Sequence, residues 1–158
     1  MIKRLLAATL VAGSALAGLT AASSAGAPRA AFDLRAKGVE TQGRARAVGT
    51  VQLQTNTAGR QRAVVKAFLN DVCPKDGFGA YLEVRAYYPS SATLAYSTRR
   101  AKDIRGCRAP AKRVTVKTGW VDHPYEIEIH LYEYDDETGD IAFNDDALVE
   151  YTPAQLGG

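Results

Sequence analysis

Alternation with period two runs through most of this chain and restricts its fold more than any other feature. Leu82, Val84, Ala86 and Tyr88 alternate with Glu83, Arg85 and Tyr87, and Tyr125, Ile127, Ile129 and Leu131 alternate with Glu126, Glu128, His130 and Tyr132. Val51 and Leu53 stand beside Gln52 and Gln54, and Val114 and Val116 flank Thr115. Successive side chains on a strand point to opposite faces, so each run reads as a strand with one buried and one wet face. That is the pattern of antiparallel sheets. Shorter runs at 93–98 and 147–151 follow the same rule. Residues 61–72 admit two readings, a strand or a helix striped by Val65, Leu69 and Val72, and strand is the expectation. Turn-forming clusters separate the runs at 56–59, 74–79, 89–91, 104–110, 122–124 and 135–139. Seven to eight strands in so short a chain predict an all-β fold, an antiparallel β-sandwich with one core.

The first 27 residues do not belong to that pattern. Met1 to Arg4 is a short cationic start, residues 5–22 are uncharged and mostly apolar, and small residues follow at 23–27. This is the layout of a secretory signal peptide, with Ser23-Ser24-Ala25 or Ala25-Gly26-Ala27 as the cleavage motif. The expected organisation is a signal peptide at 1–27, a loose arm or edge strand at 28–45, and a β-sandwich domain at 46–158. The mature chain carries no transmembrane segment, and the expected location is extracellular. Cys73 and Cys107 both lie in the exported part, where an isolated pair reads as one disulfide bond. Closing a loop of about 35 residues contributes roughly 3–4 kcal/mol in the chain-entropy description.

The formal net charge of +3 hides a bipolar chain. Residues 28–117 hold 18 Lys and Arg against 6 Asp and Glu, whereas residues 118–158 hold 11 Asp and Glu and no Lys or Arg. Either basic strands lie beside acidic ones and the fields cancel, or the molecule carries separate patches for cations and polyanions. The basic residues singled out for a polyanion are Arg99, Arg100, Lys102, Arg105, Arg108, Lys112 and Arg113.

Catalytic signatures are absent from the sequence: there is no G-x-S-x-G elbow, no P-loop and no G-x-G-x-x-G. His123 precedes a proline, and His130 falls on the polar side of its strand, where exposure is expected. The expectation is a protein without catalytic activity. Trp120 is expected to plug an edge of the core. The segment 131–150 concentrates hard oxygen donors, which suits calcium with its six to eight oxygen ligands. It also suits a solvated acidic edge.

Two local resemblances bear on that segment. Glu133-x-Asp135 at a strand end, followed by Asn144-Asp145-Asp146-Ala147-Leu148, resembles the second calcium loop of calcium-dependent phospholipid-binding sandwich domains. The run from Lys75 through Asp76, Gly77 and Tyr81 to Val84 is similar to their first loop. The resemblance implies a weak calcium site built from Asp76, Glu133, Asp135, Asp145 and Asp146 at one end of the sandwich. Ala80 stands where that family supplies a second Asp, and Glu133 replaces another. The leader, the single cysteine pair and the C-P-x-D-G-x-G-A-Y run also resemble small exported proteins of GC-rich Gram-positive bacteria, which implies export but no particular activity. Three functional classes follow. The first is an exported non-catalytic binding or structural module. The second is a secreted protease inhibitor or toxin-like module acting through an exposed loop at 98–105. The third is a binder of polyanions or the cell envelope through a basic face. No reading helix is apparent, and nucleic acid is not an expected partner.

Overall fold

A computed structural model describes residues 28–37, 44–72, 78–90, 95–106, 108–135 and 147–158, with backbone alone for Phe78, Tyr134 and Asp135. Eight strands form in chain order: β1 (Ala30–Lys37), β2 (Arg44–Thr55), β3 (Gln61–Val72), β4 (Phe78–Tyr88), β5 (Ala95–Asp103), β6 (Lys112–Lys117), β7 (Glu126–Asp135) and β8 (Ala147–Tyr151). They build two four-stranded sheets, ordered β1-β2-β3-β6 and β5-β4-β7-β8, and every pairing is antiparallel. The only helical element among the described residues is a 3-10 turn at Pro153–Leu156. The two sheets share one hydrophobic core, the layering of a β-sandwich.

Alternation decides which side chains enter that core. Leu34, Ala47, Val51, Leu53, Val65, Leu69, Val114 and Val116 come from the first sheet, and Leu82, Val84, Ile127, Ile129 and Leu131 from the second. Leu156, on the 3-10 turn, is fully buried among them. Hydrogen bonds join the sheets at both margins. On one side the Tyr151 hydroxyl donates to the Ala31 carbonyl at 3.1 Å. On the other, the Gly119 amide donates to Ser97 Oγ at 2.7 Å and Lys112 Nζ to the Lys102 carbonyl at 2.8 Å.

Residues 61–72 form a central strand, β3, not a helix. Ala63, Val65, Ala67, Leu69 and Asp71 face inward at alternate positions, and β2 and β6 take up its two edges. Residues 30–37 pair with β2 along their whole length, with Phe32, Leu34 and Ala36 buried. Strand β5 covers Ala95–Asp103, so most of the segment read as an exposed inhibitory loop at 98–105 is an edge strand paired to β4. Gly49 is required by close approach: a Cβ there would lie 2.3 Å from the Lys66 carbonyl oxygen and 2.8 Å from Ala67.

Candidate functional site

The outer face of the first sheet is strongly cationic. Strands β1 and β2 send Arg35, Lys37, Arg44 and Arg46 outward, each opposite in parity to a buried neighbour. Strands β3 and β6 add Arg62, Lys66, Arg113 and Lys117. Against these eight cations the outward positions of the four strands hold one carboxylate, Asp33. Arg46 binds Asp33 through two contacts of 3.0 and 2.8 Å, and Arg35 approaches it at 3.4 Å. The hydrogen bonds from Arg46 lead in pulling the Asp33 carboxyl down to about 2, so it stays ionised and neutralises a single charge of the face.

Cross-strand register arranges this face in rungs. Lys37 stands opposite Arg44, and Arg35 opposite Arg46. The next rung carries Asp33, Val48, Phe68 and Arg113 across all four strands. Phe68 is 56% exposed and Val48 36%, so an apolar pair sits uncovered amid the cations. Val48, Thr50, Lys66, Phe68 and Arg113 line a shallow depression of about 390 Å³. At the far end the Arg62 guanidinium lies 4.2 Å from the centre of the Trp120 ring, and Arg60 donates to the Trp120 carbonyl. Trp120 is thus half-buried under an arginine at the end of the sheet.

The second sheet's outer face is different: Glu83 and Glu128 are engaged by its own side chains, and a group of carboxylates stands at one end. Glu83 on β4 is 2% exposed although it points away from the core. It accepts from Arg85 at 2.6 Å, from Arg100 at 3.0 Å and from Thr98 Oγ1 at 3.0 Å. Burial alone would raise its pKa, but the bonds from Arg85, Thr98 and Arg100 outweigh it and hold the carboxyl below its ordinary value. Glu128 accepts from the Tyr87 hydroxyl at 2.9 Å and pairs with His130 Nε2 at 2.7 Å. His130 is buried, contrary to the exposure expected from its parity, because its ring stacks on Tyr132 with centroids 5.5 Å apart and planes 6° from parallel. His123 lies on an exposed turn. Glu126, Glu128 and Glu150 bring carboxylate oxygens within 4.8 Å of one another at the β7–β8 end of this face.

The basic residues singled out from sequence do not form one patch. Arg100 is committed to Glu83. Arg105 is held by buried Asp103 at 2.7 and 3.1 Å and donates to the Pro110 carbonyl at 2.8 Å. Lys102 and Lys112 sit at the junction of the sheets, where Lys112 Nζ donates to the Lys102 carbonyl. Arg99 is exposed on edge strand β5 and Arg108 in the connection beyond it. Only Arg113 belongs to the cationic face. Alternation held the missing signal: in F-D-L-R-A-K and R-A-R-A-V every second residue is small or apolar, which turns the charges to one side.

Of the calcium candidates, Asp76, Asp145 and Asp146 lie outside the described residues, as do Cys73 and Cys107, and of Asp135 only the backbone is described. Glu133 is buried on the core side of β7. Across the sheet it forms a row with Ala80 and Asp103. The cluster of Glu126, Glu128 and Glu150 stands at the opposite end of β7. No helix among the described residues is long and apolar enough to cross a membrane. No protein-family model matches the chain, and no match to a curated protein or a solved structure was found.

Proposed function

We propose that this is an exported, non-catalytic β-sandwich module that holds an anionic polymer of the cell envelope against the outer face of its first sheet. One observation carries the reading: eight outward cations share that face with a single carboxylate that is already paired. Such a face creates a positive potential over an extended flat surface, attracts a polyanion and releases its counterions. The uncovered Phe68 and Val48 supply an apolar step on which the uncharged parts of a polymer can pack. The bipolar charge of the chain supports the same reading, because Glu83 and Glu128 of the second sheet are engaged by that sheet's own Arg85 and Arg100 rather than by the cations of the first sheet's outer face.

Export follows from the leader at 1–27, and a Cys73–Cys107 disulfide belongs to the proposal. Val72 ends β3 beyond Leu69, which pairs with Lys112 at the start of β6. The chain on either side of both cysteines therefore approaches the same end of the molecule. Affinity for heparin, used as a sulfated probe, measured against salt tests the function. A ligand engaging four cations gives log K falling with log salt at a slope of roughly −3. A slope near zero, or no retention at low salt, would remove the proposal.

A further inference from the structure

Resting on the anion-binding reading of the first sheet, we propose that Arg35, Lys37, Arg44 and Arg46 form a subsite for tetrahedral oxyanions, the phosphate or sulfate groups of an anionic polymer. Register sets Lys37 directly opposite Arg44 and Arg35 directly opposite Arg46. Like charges facing one another across an antiparallel pair destabilise it. Among the outward positions of the four described strands the only carboxylate, Asp33, lies one rung further in, opposite Val48, and is taken by Arg46 and Arg35. Among the described residues Lys37 and Arg44 enter no ion pair.

Geometry specifies the ligand's chemistry. Strands lie about 4.8 Å apart and alternate residues of one strand about 7 Å apart, so four cationic side chains rise from a compact rectangle. A planar carboxylate offers two oxygens, whereas a phosphate or sulfate group offers three and can bridge two opposed cations. Guanidinium groups bind such oxyanions through paired, charge-assisted hydrogen bonds. A polymer carrying an oxyanion every ~7 Å along the strand direction would meet one rung with each successive group. The charge repulsion of the free protein becomes attraction in the complex.

The test compares the full chain with K37Q/R44Q and with K66Q/K117Q, which remove two cations each from different parts of the same face. Melting is followed at constant low ionic strength with millimolar sodium chloride, acetate, phosphate or sulfate, and binding with heparin and with a phosphodiester polymer. The expected result has three parts. K37Q/R44Q melts no lower than the parent in chloride, loses the rise in melting temperature that phosphate or sulfate gives the parent, and binds polymer about tenfold or more weakly. K66Q/K117Q keeps that rise and loses much less affinity. The larger response, to sulfate and heparin or to phosphate and the phosphodiester, identifies the source of the oxyanion. Equal losses of affinity in the two variants, a parent response to acetate as large as to phosphate, or a K37Q/R44Q chain that melts below the parent in chloride would overturn the subsite while leaving the binding face standing. Unchanged affinity in both variants would overturn the subsite and the face together.

Discussion

Replacing Glu83 with glutamine removes one charge from a side chain that is only 3% exposed and accepts from Arg85, Arg100 and Thr98. The glutamine keeps the shape but points an amide N–H toward donors that need an acceptor. Removing one partner of a buried ion pair costs about 3–5 kcal/mol. Here Arg85 and Arg100 are themselves 24% and 55% exposed, so solvent screening lowers that figure. We expect a loss of roughly 2–3 kcal/mol, which for a domain of this size lowers the melting temperature by about 10 °C. The pH dependence has a definite sign. The folded-state carboxyl lies below its ordinary value of 4.5, so its contribution is fully present above that value. It is lost as pH falls through the depressed folded-state value. The gap between wild type and Glu83→Gln in melting experiments is therefore full at neutral pH and closes in acid. Because Arg100 and Thr98 tie edge strand β5 to Glu83, amide exchange in the variant should accelerate first at Ala95–Asp103. A gap that is constant from neutral to strongly acid pH, or a variant as stable as the parent, would refute the reasoning.

Three further outcomes follow from the same structure. Gly49→Ala puts a methyl group 2.3 Å from the Lys66 carbonyl oxygen, forces β2 and β3 apart, and should cost about 1–3 kcal/mol by denaturant titration. Asp33→Asn removes the one carboxylate of the cationic face and frees Arg46, so heparin affinity should rise and its salt dependence steepen. Under non-reducing conditions Cys73 and Cys107 should appear in one disulfide-linked peptide pair by mass spectrometry, and reduction should lower stability by about 3–4 kcal/mol.

Strands β4 and β7 were legible because their inward positions are occupied by Leu82, Val84, Ile127, Ile129 and Leu131, whose size makes the alternation obvious. Strand β1 was legible only as one of two alternatives, a loose arm or an edge strand, and the first half of β2 was not, because Ala36, Ala45 and Ala47 do the same work with little hydrophobic signal while charges fill the outward positions. The first part of strand β5 was legible in the run at 93–98, but its continuation to Asp103 is a tertiary effect: that sequence is polar, and pairing to β4 with the bonds of Thr98 and Arg100 to Glu83 makes it a strand. The charge asymmetry was legible, but its placement was not. Arg113 and Lys117 join the face of Arg35 and Arg46 only because β6 returns from the second sheet to pair with β3, a crossover no local pattern announces. The residues nearest one another in sequence, Arg99 to Arg113, were dispersed by the same connection.

Mapping backbone amide chemical-shift changes on titration with heparin tests the central claim most directly. The account predicts changes concentrated at the outward residues of β1, β2, β3 and β6, strongest from Arg35 to Lys37 and from Arg44 to Arg46 and extending to Lys66, Phe68 and Arg113. Changes centred instead on the second sheet or on the connection from Ile104 to Ala111 would contradict it.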